Sequence, residues 1–211
     1  DMTWEVNFNA AHNRGILEKL NGVNKYLGGT AYDNYKIEEG GKLGRFYGYV
    51  DAGRLYENGE EVWACKPIDP STGKPTNYRV TSWTEDVGDV YVVDLDGDGK
   101  ITADGDRTYI GDAIPDMFGG FGTTLYWKGL MCNLTFTYSI GGQRYWSDEA
   151  STFDGTNVYN TLNIVKDSYT MVGNNNPKYP VVTHYGMGQN SVFTNRWLHD
   201  ASYMRLSALN L

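Results

Sequence analysis

Asp94, Asp96 and Asp98 stand at every second position of a short Gly-rich run, Asp94-Leu95-Asp96-Gly97-Asp98-Gly99-Lys100-Ile101. Counted from Asp94 these are positions one, three and five, with Gly99 at six, so a tight turn gathers three carboxylates on one concave side. With the Lys100 carbonyl and Thr102 added, the oxygen set is one that a hard cation such as calcium favours. Position twelve, where a closing carboxylate belongs, falls on Gly105, so Asp104 or Asp106 must complete the shell. One inserted residue between 103 and 105 explains the shift. The competing reading is an acidic turn whose Asp side chains cap their own backbone N–H groups. On either reading, the expected job of residues 94–106 is to stiffen a loop.

Flat rings form the second candidate set. Trp63, Trp83, Tyr145, Trp146, Tyr159, Tyr169, Tyr179 and Tyr185 crowd the irregular stretches, where rings can stack on sugar faces or peptide side chains. Trp83, Tyr145 and Trp146 are the candidate substrate contacts. The alternative for any one of them is loop packing or an interfacial aromatic belt. Other chemistry is thin: His12, His184 and His199 lack ligand spacing, and no Ser/His/Asp order, phosphate loop or zinc signature is present. The pairs Glu38-Glu39, Glu60-Glu61 and Asp148-Glu149 are adjacent residues, which in a strand point to opposite faces. Cys65 and Cys132 have no CxxC spacing and are not expected to form a disulfide.

The elements that must position these groups are strands. Gly makes up 26 of 211 residues, aromatics reach 14%, and Pro is only 6, a turn-rich β composition. The net charge of -8, with scattered Lys and Arg, excludes a nucleic-acid binder. No apolar run is long enough for a membrane helix, so any contact with a bilayer must be made by strands. The clearest pattern spans 120–140. Phe121, Thr123, Leu125 and Trp127 face one way, with Gly122, Thr124 and Tyr126 opposite. After Lys128-Gly129, the set Leu130, Cys132, Leu134, Phe136, Tyr138, Ile140 alternates with Met131, Asn133, Thr135, Thr137, Ser139. A strand of this length matches the ~9–11 residues a tilted strand needs to cross a bilayer. A tight turn on one side and long polar loops on the other is the asymmetry of outer-membrane barrels.

Elsewhere, Trp4, Val6, Phe8 and Ala10 define a strand, residues 13–20 offer one helical turn, and residues 44–50 read as a strand interrupted by Gly48. Residues 57–89 and 141–195 read as long loops, and 197–211 as an extended, less regular apolar pattern. The opening on Asp1 without an initiator Met and the stop inside an apolar run suggest a piece of something longer. Strand parity is unsettled: a turn at 128–129 on the inner side would leave 13–42 inside as well, long for such a connection.

Several blocks together resemble the C-terminal part of SusC/RagA-type TonB-dependent outer-membrane transporters of Bacteroidetes. Trp4 with Asn7-Phe8-Asn9 and Asn13-Arg14 resembles the family's preceding strand. Gly44-Arg45-Phe46-Tyr47-Gly48-Tyr49 with Gly53 resembles its Gly-x-Phe-Tyr-Gly-Tyr block. The run from Asp94 to Gly111 with Pro115 and Gly120-Phe121 resembles its Asp-x-Asn-Gly-Asp-Gly-x-Ile, Asp-Arg-Thr-x-Ile-Gly and Pro-Asp-x-x-x-Gly-Phe series, although the spacing after Lys100 departs from the family loop. Ser202-Tyr203-Met204-Arg205-Leu206 resembles its Ser-Tyr-x-Arg-Leu block. The resemblance implies an all-β fold: antiparallel strands of a partial transmembrane β-barrel with long extracellular loops, this chain supplying about six of roughly 22 strands around a plugged lumen. It further implies a non-enzymatic importer of oligosaccharides or peptides in the outer membrane, energised through TonB and covered by a SusD-like lipoprotein.

Two other classes compete: a soluble secreted β domain that binds carbohydrate and is stiffened by calcium, and a hydrolase with carboxylates in the long loops. The apolar hairpin face separates the first from a barrel. It packs against a second sheet in a soluble domain and meets lipid in a barrel.

Overall fold

The computed structural model describes residues 1–21, 25–28, 34–55, 88–98, 101–153, 160–169, 177–182 and 189–211. Among them run β1 (Met2–Ala11), β2 (Lys25–Gly28), β3 (Tyr35–Glu38), β4 (Arg45–Tyr49), β5 (Asp51–Leu55), β6 (Val90–Val92), β7 (Arg107–Asp112), β8 (Met117–Trp127), β9 (Leu130–Ile140), β10 (Gln143–Tyr145), β11 (Leu198–Asp200) and β12 (Tyr203–Asn210), with one short helix, α1 (Ser147–Thr152). The chain divides into two units: residues 1–46, 111–144 and 199–211 form one, and 47–110 with 145–198 the other.

The first unit is built on the long strands, in the antiparallel order β1-β8-β9-β12. Its centre is the hairpin read from the alternation. Lys128 and Gly129 both adopt positive φ, 49° and 87°, the turn whose twist matches a two-residue hairpin. From there β8 and β9 pair in unbroken register, Trp127 with Leu130 through Met117 with Ile140. Strand β1 lies on the other side of β8, with Met2 opposite Trp127 and Ala11 opposite Phe118.

The irregular apolar pattern of the last strand has a physical cause. The pairing of β12 with β9 shifts between Leu206 and Ala208, so Ser207 is the extra residue of a β-bulge. Upstream of it Met204 and Leu206 occupy apolar positions; downstream the set slips by one to Leu209, opposite Leu134. The bulge absorbs that slip and keeps all of them on one face.

Three expectations are corrected here. Among the described residues the long-strand sheet holds four strands rather than about six, because the stretch around residue 46 forms only the five-residue β4, about half the length a bilayer crossing requires. In its place β3 and β4 meet through Tyr35 and Phe46, with ring centroids 5.2 Å apart. The parity problem also disappears. Since β1 and β8 are direct neighbours, everything between them is one connection that leaves and returns at the same end of the sheet, opposite the 128–129 turn. No helical turn forms over 13–20: Leu17 instead exchanges backbone hydrogen bonds with Gly40 and Gly41.

In the second unit Leu55, Val90, Val92, Ile101, Ala150, Phe153 and Trp197 form a buried core, ringed by Tyr49, Tyr145, Ile164, Tyr169 and Tyr179. Phe153 stacks on both Trp197 and Tyr179, at 5.6 and 5.4 Å. Asp51 and Arg196 form an ion pair at 3.0 Å with both side chains nearly buried. Gly48 meets the expectation of close backbone contact, since a Cβ there would stand 2.5 Å from the Phe193 carbonyl oxygen. Parts of the stretches that read as loops therefore supply a packed core.

Candidate functional site

Strand register assigns every side chain of the long sheet to a face. One face carries Trp4, Val6 and Phe8 from β1, Phe121, Leu125 and Trp127 from β8, Leu130, Leu134 and Phe136 from β9, and Met204, Leu206 and Leu209 from β12. The other carries Glu5, Asn7, Asn9, Thr124, Asn133, Thr135, Thr137 and Arg205. Neither face of the edge strands is covered: Trp4 is 68% exposed, Val6 60% and Leu209 54%, with Glu5, Asn7, Asn9 and Arg205 exposed as well, while on β9 Leu134 and Phe136 are half-buried like Asn133, Thr135 and Thr137. Among the described residues no second sheet covers the apolar face.

That face also neutralises its own polar atoms. Thr123, the one hydroxyl in the row Phe121, Thr123, Leu125, Trp127, accepts a 2.6 Å hydrogen bond from Trp4 Nε1. The Tyr138 hydroxyl donates at 3.1 Å to the Asn9 carbonyl, lying beside Gly119, where a Cβ would collide with that backbone. In hydrocarbon an unpaired hydroxyl or indole N–H costs several kcal/mol, so mutual pairing is what lipid exposure demands. Neither bond is stated by periodicity, although a lone Thr in an apolar row is a signal of one.

The acidic loop belongs to the second unit. The structure brings Asp94, Asp96 and Asp106 together, with carboxylate oxygens within 4.8 Å of one another; Asp98 and Asp104 are not part of this group, and Lys100 and Gly99 lie outside the described residues. Asp106 is completely buried, and its two oxygens accept the backbone N–H groups of Leu95 at 2.8 Å and Thr102 at 2.6 Å. It pins the two ends of the loop together. Asp94 accepts from Gly97 N–H and Asp96 from Asp98 N–H, while Thr102 Oγ1 accepts from Gly105. The amide of Asp98 pulls the Asp96 pKa down, but desolvation and the charges of Asp98, Asp106 and Asp94 outweigh it, and the net shift is upward. Three hard oxygen donors at this spacing fit one calcium ion, since ligands about 2.4 Å from a common ion lie no more than ~4.8 Å apart. Each carboxylate oxygen that already accepts an N–H keeps a second lone pair for a cation.

Of the candidate rings, Tyr145 packs on the core of the second unit with its ring 4.7 Å from Phe193. Trp146 remains 44% exposed, its backbone N–H held by the Trp197 carbonyl. Trp83, together with Trp63, Tyr159, Tyr185, Cys65, His184 and Glu60-Glu61, lies outside the described residues. Asp148 and Glu149 do not act as a pair: Asp148 is exposed and Glu149 buried, where it accepts the Tyr179 hydroxyl.

No family model matches the chain. The TonB-dependent receptor P39 of Formosa agariphila is 28% identical over 163 residues, which span 68% of this chain and 15% of that receptor. The solved structure of the RagAB peptide transporter matches 99% of this chain with a TM-score of 0.65 and 22% identity, over 20% of its own chain. The likeness to the RagAB structure shows the fold: the antiparallel strands of this chain are arranged as in one segment of that transporter chain. The chain spans a small part of the length of either relative.

Proposed function

We propose that the chain is a segment of the SusC/RagA type and forms part of the wall of an outer-membrane transporter that imports oligosaccharides or peptides, energised through TonB and served by a SusD-like surface lipoprotein. The observation that carries the reading is the four-stranded sheet whose apolar face is exposed and internally hydrogen-bonded. Such a face needs an apolar cover; no described sheet supplies it, which favours hydrocarbon, and the opposite side carries the polar face. The chain's own contribution is passive and non-enzymatic: it seals the wall against lipid and lines the inner side with amides and hydroxyls. Resemblance to a TonB-dependent receptor and to a peptide transporter supports the import reading.

Within this function Asp94, Asp96 and Asp106 hold calcium, which offsets their mutual repulsion and stiffens the connection between β6 and β7. Trp146 offers its open ring to the ligand. Its replacement by Ala removes a stacking surface worth about 0.5–1.5 kcal/mol and is expected to weaken ligand affinity roughly two- to tenfold.

Deleting the full-length gene and following uptake of labelled oligosaccharides and oligopeptides tests the proposal. Loss of uptake of one class, restored by the gene and abolished by collapse of the TonB energy supply, supports it. Unchanged uptake of both classes contradicts it.

A further inference from the structure

The 128–129 turn carries a residue that the turn itself does not ask for. Lys128 is the one non-glycine with positive φ among the described residues, at 49°. Asn, Asp and Gly are the residues that accept this conformation at the first central position of such a turn. A lysine held there points to a use for its side chain. Its ammonium lies 5.1 Å from the centroid of the Trp127 ring, within cation–π range. Trp127 is on the apolar face and half exposed, as is its neighbour across the turn, Leu130. The long side chain therefore leans over the apolar face and not toward Tyr126 on the polar one. Asp1, at the start of β1, is the acidic group beside the turn.

We propose that Lys128 and Trp127 form a headgroup anchor for a phospholipid of the membrane leaflet at the turn side, resting on the membrane reading above. The anionic headgroup takes the ammonium, the indole sits at the polar boundary, and the acyl chains run along Leu130 and Leu125. Lys128 is the basic side chain of the hollow at the turn, with Asp1 across it, and it stands at the end of an apolar strand pair, so charge and apolar surface together complement the headgroup and chains of an anionic lipid. This is the depth at which amphipathic rings and snorkelling lysines settle.

The full-length protein in nanodiscs tests the anchor, through its thermal unfolding in phosphatidylcholine and in phosphatidylglycerol, each at low and high salt. The wild type is expected to melt several degrees higher in phosphatidylglycerol, with the gain fading in salt. Lys128→Asn, which suits the turn's backbone, is expected to match or exceed the wild type in phosphatidylcholine and to lose the phosphatidylglycerol gain, while Lys128→Arg keeps it. A Lys128→Asn protein that retains the full salt-sensitive gain overturns the anchor. If no variant enters nanodiscs as a folded barrel, the membrane reading fails instead.

Discussion

Asp106 and Asp96 play opposite parts in the acidic loop. Asp106 is buried with both oxygens engaged by backbone N–H groups, so it clamps the loop with or without a cation. Asp96, surrounded by like charges, has a raised pKa and resists ionisation more in the fold than in the unfolded chain. Its contribution to stability is therefore full below the unfolded value of about 3.8 and is lost as pH rises through the raised folded value. Asp96→Asn keeps the acceptor for the Asp98 N–H and removes the charge. In chelator at neutral pH it is expected to slow hydrogen exchange at Leu95 and Thr102, and below pH ~3.8 to match the wild type. In millimolar calcium the order should invert, because the variant has lost a ligand; an unchanged order would remove the cation from this loop. The sequence made the cluster legible through its odd spacing. It did not show that Asp106 is both clamp and ligand, since its burial and its two backbone partners are set by the folded loop and not by spacing.

At the scale of elements, alternation revealed most where strands are long. The eleven residues of β8 and β9 repeat the two-residue period enough times to fix faces, register and turn. Five residues around Phe46 repeat it barely twice, and a short strand inside a packed unit gives the same pattern as a fragment of a barrel strand. In β12 the period breaks once, and the break is the bulge at Ser207. Deleting Ser207 removes the extra residue, so Leu206, Ala208 and Leu209 keep Phe136, Thr135 and Leu134 as partners in an uninterrupted ladder. The full-length protein is then expected to assemble, read as retention of the folded, heat-modifiable band on gels, whereas inserting one Ala between Ala208 and Leu209 turns Leu209 to the polar face and should abolish that band. Ser207→Ala keeps the bulge and loses only the 3.0 Å contact with Thr137, so it should assemble with a cost of about 1 kcal/mol. Normal assembly of the insertion would refute the role given to the bulge. Gly119→Ala makes a second test at this scale. A Cβ there would clash with the Asn9 carbonyl and the Tyr138 hydroxyl, and overpacking of this kind costs typically 1–3 kcal/mol, visible as a lower melting temperature.

Over the whole molecule, the sequence revealed the long-strand sheet far better than the second unit. The core of that unit joins Leu55, Val90, Ile101, Phe153 and Trp197, residues separated by long intervals and bound to no period, so no local pattern announces them. The long-strand sheet, in contrast, is encoded residue by residue in its strands. A barrel wall requires hydrocarbon on one side of that sheet and a polar interior on the other. The most direct test scans spin labels along β9, residues 131–139, one at a time in the full-length protein in lipid bilayers, and reads their accessibility to oxygen and to a water-soluble nickel complex. A two-residue oscillation is expected, with oxygen favoured at 132, 134 and 136 and reduced at 131, 133, 135, 137 and 139. Labels at 134 and 136 that are shielded from oxygen and lipid by protein would contradict it.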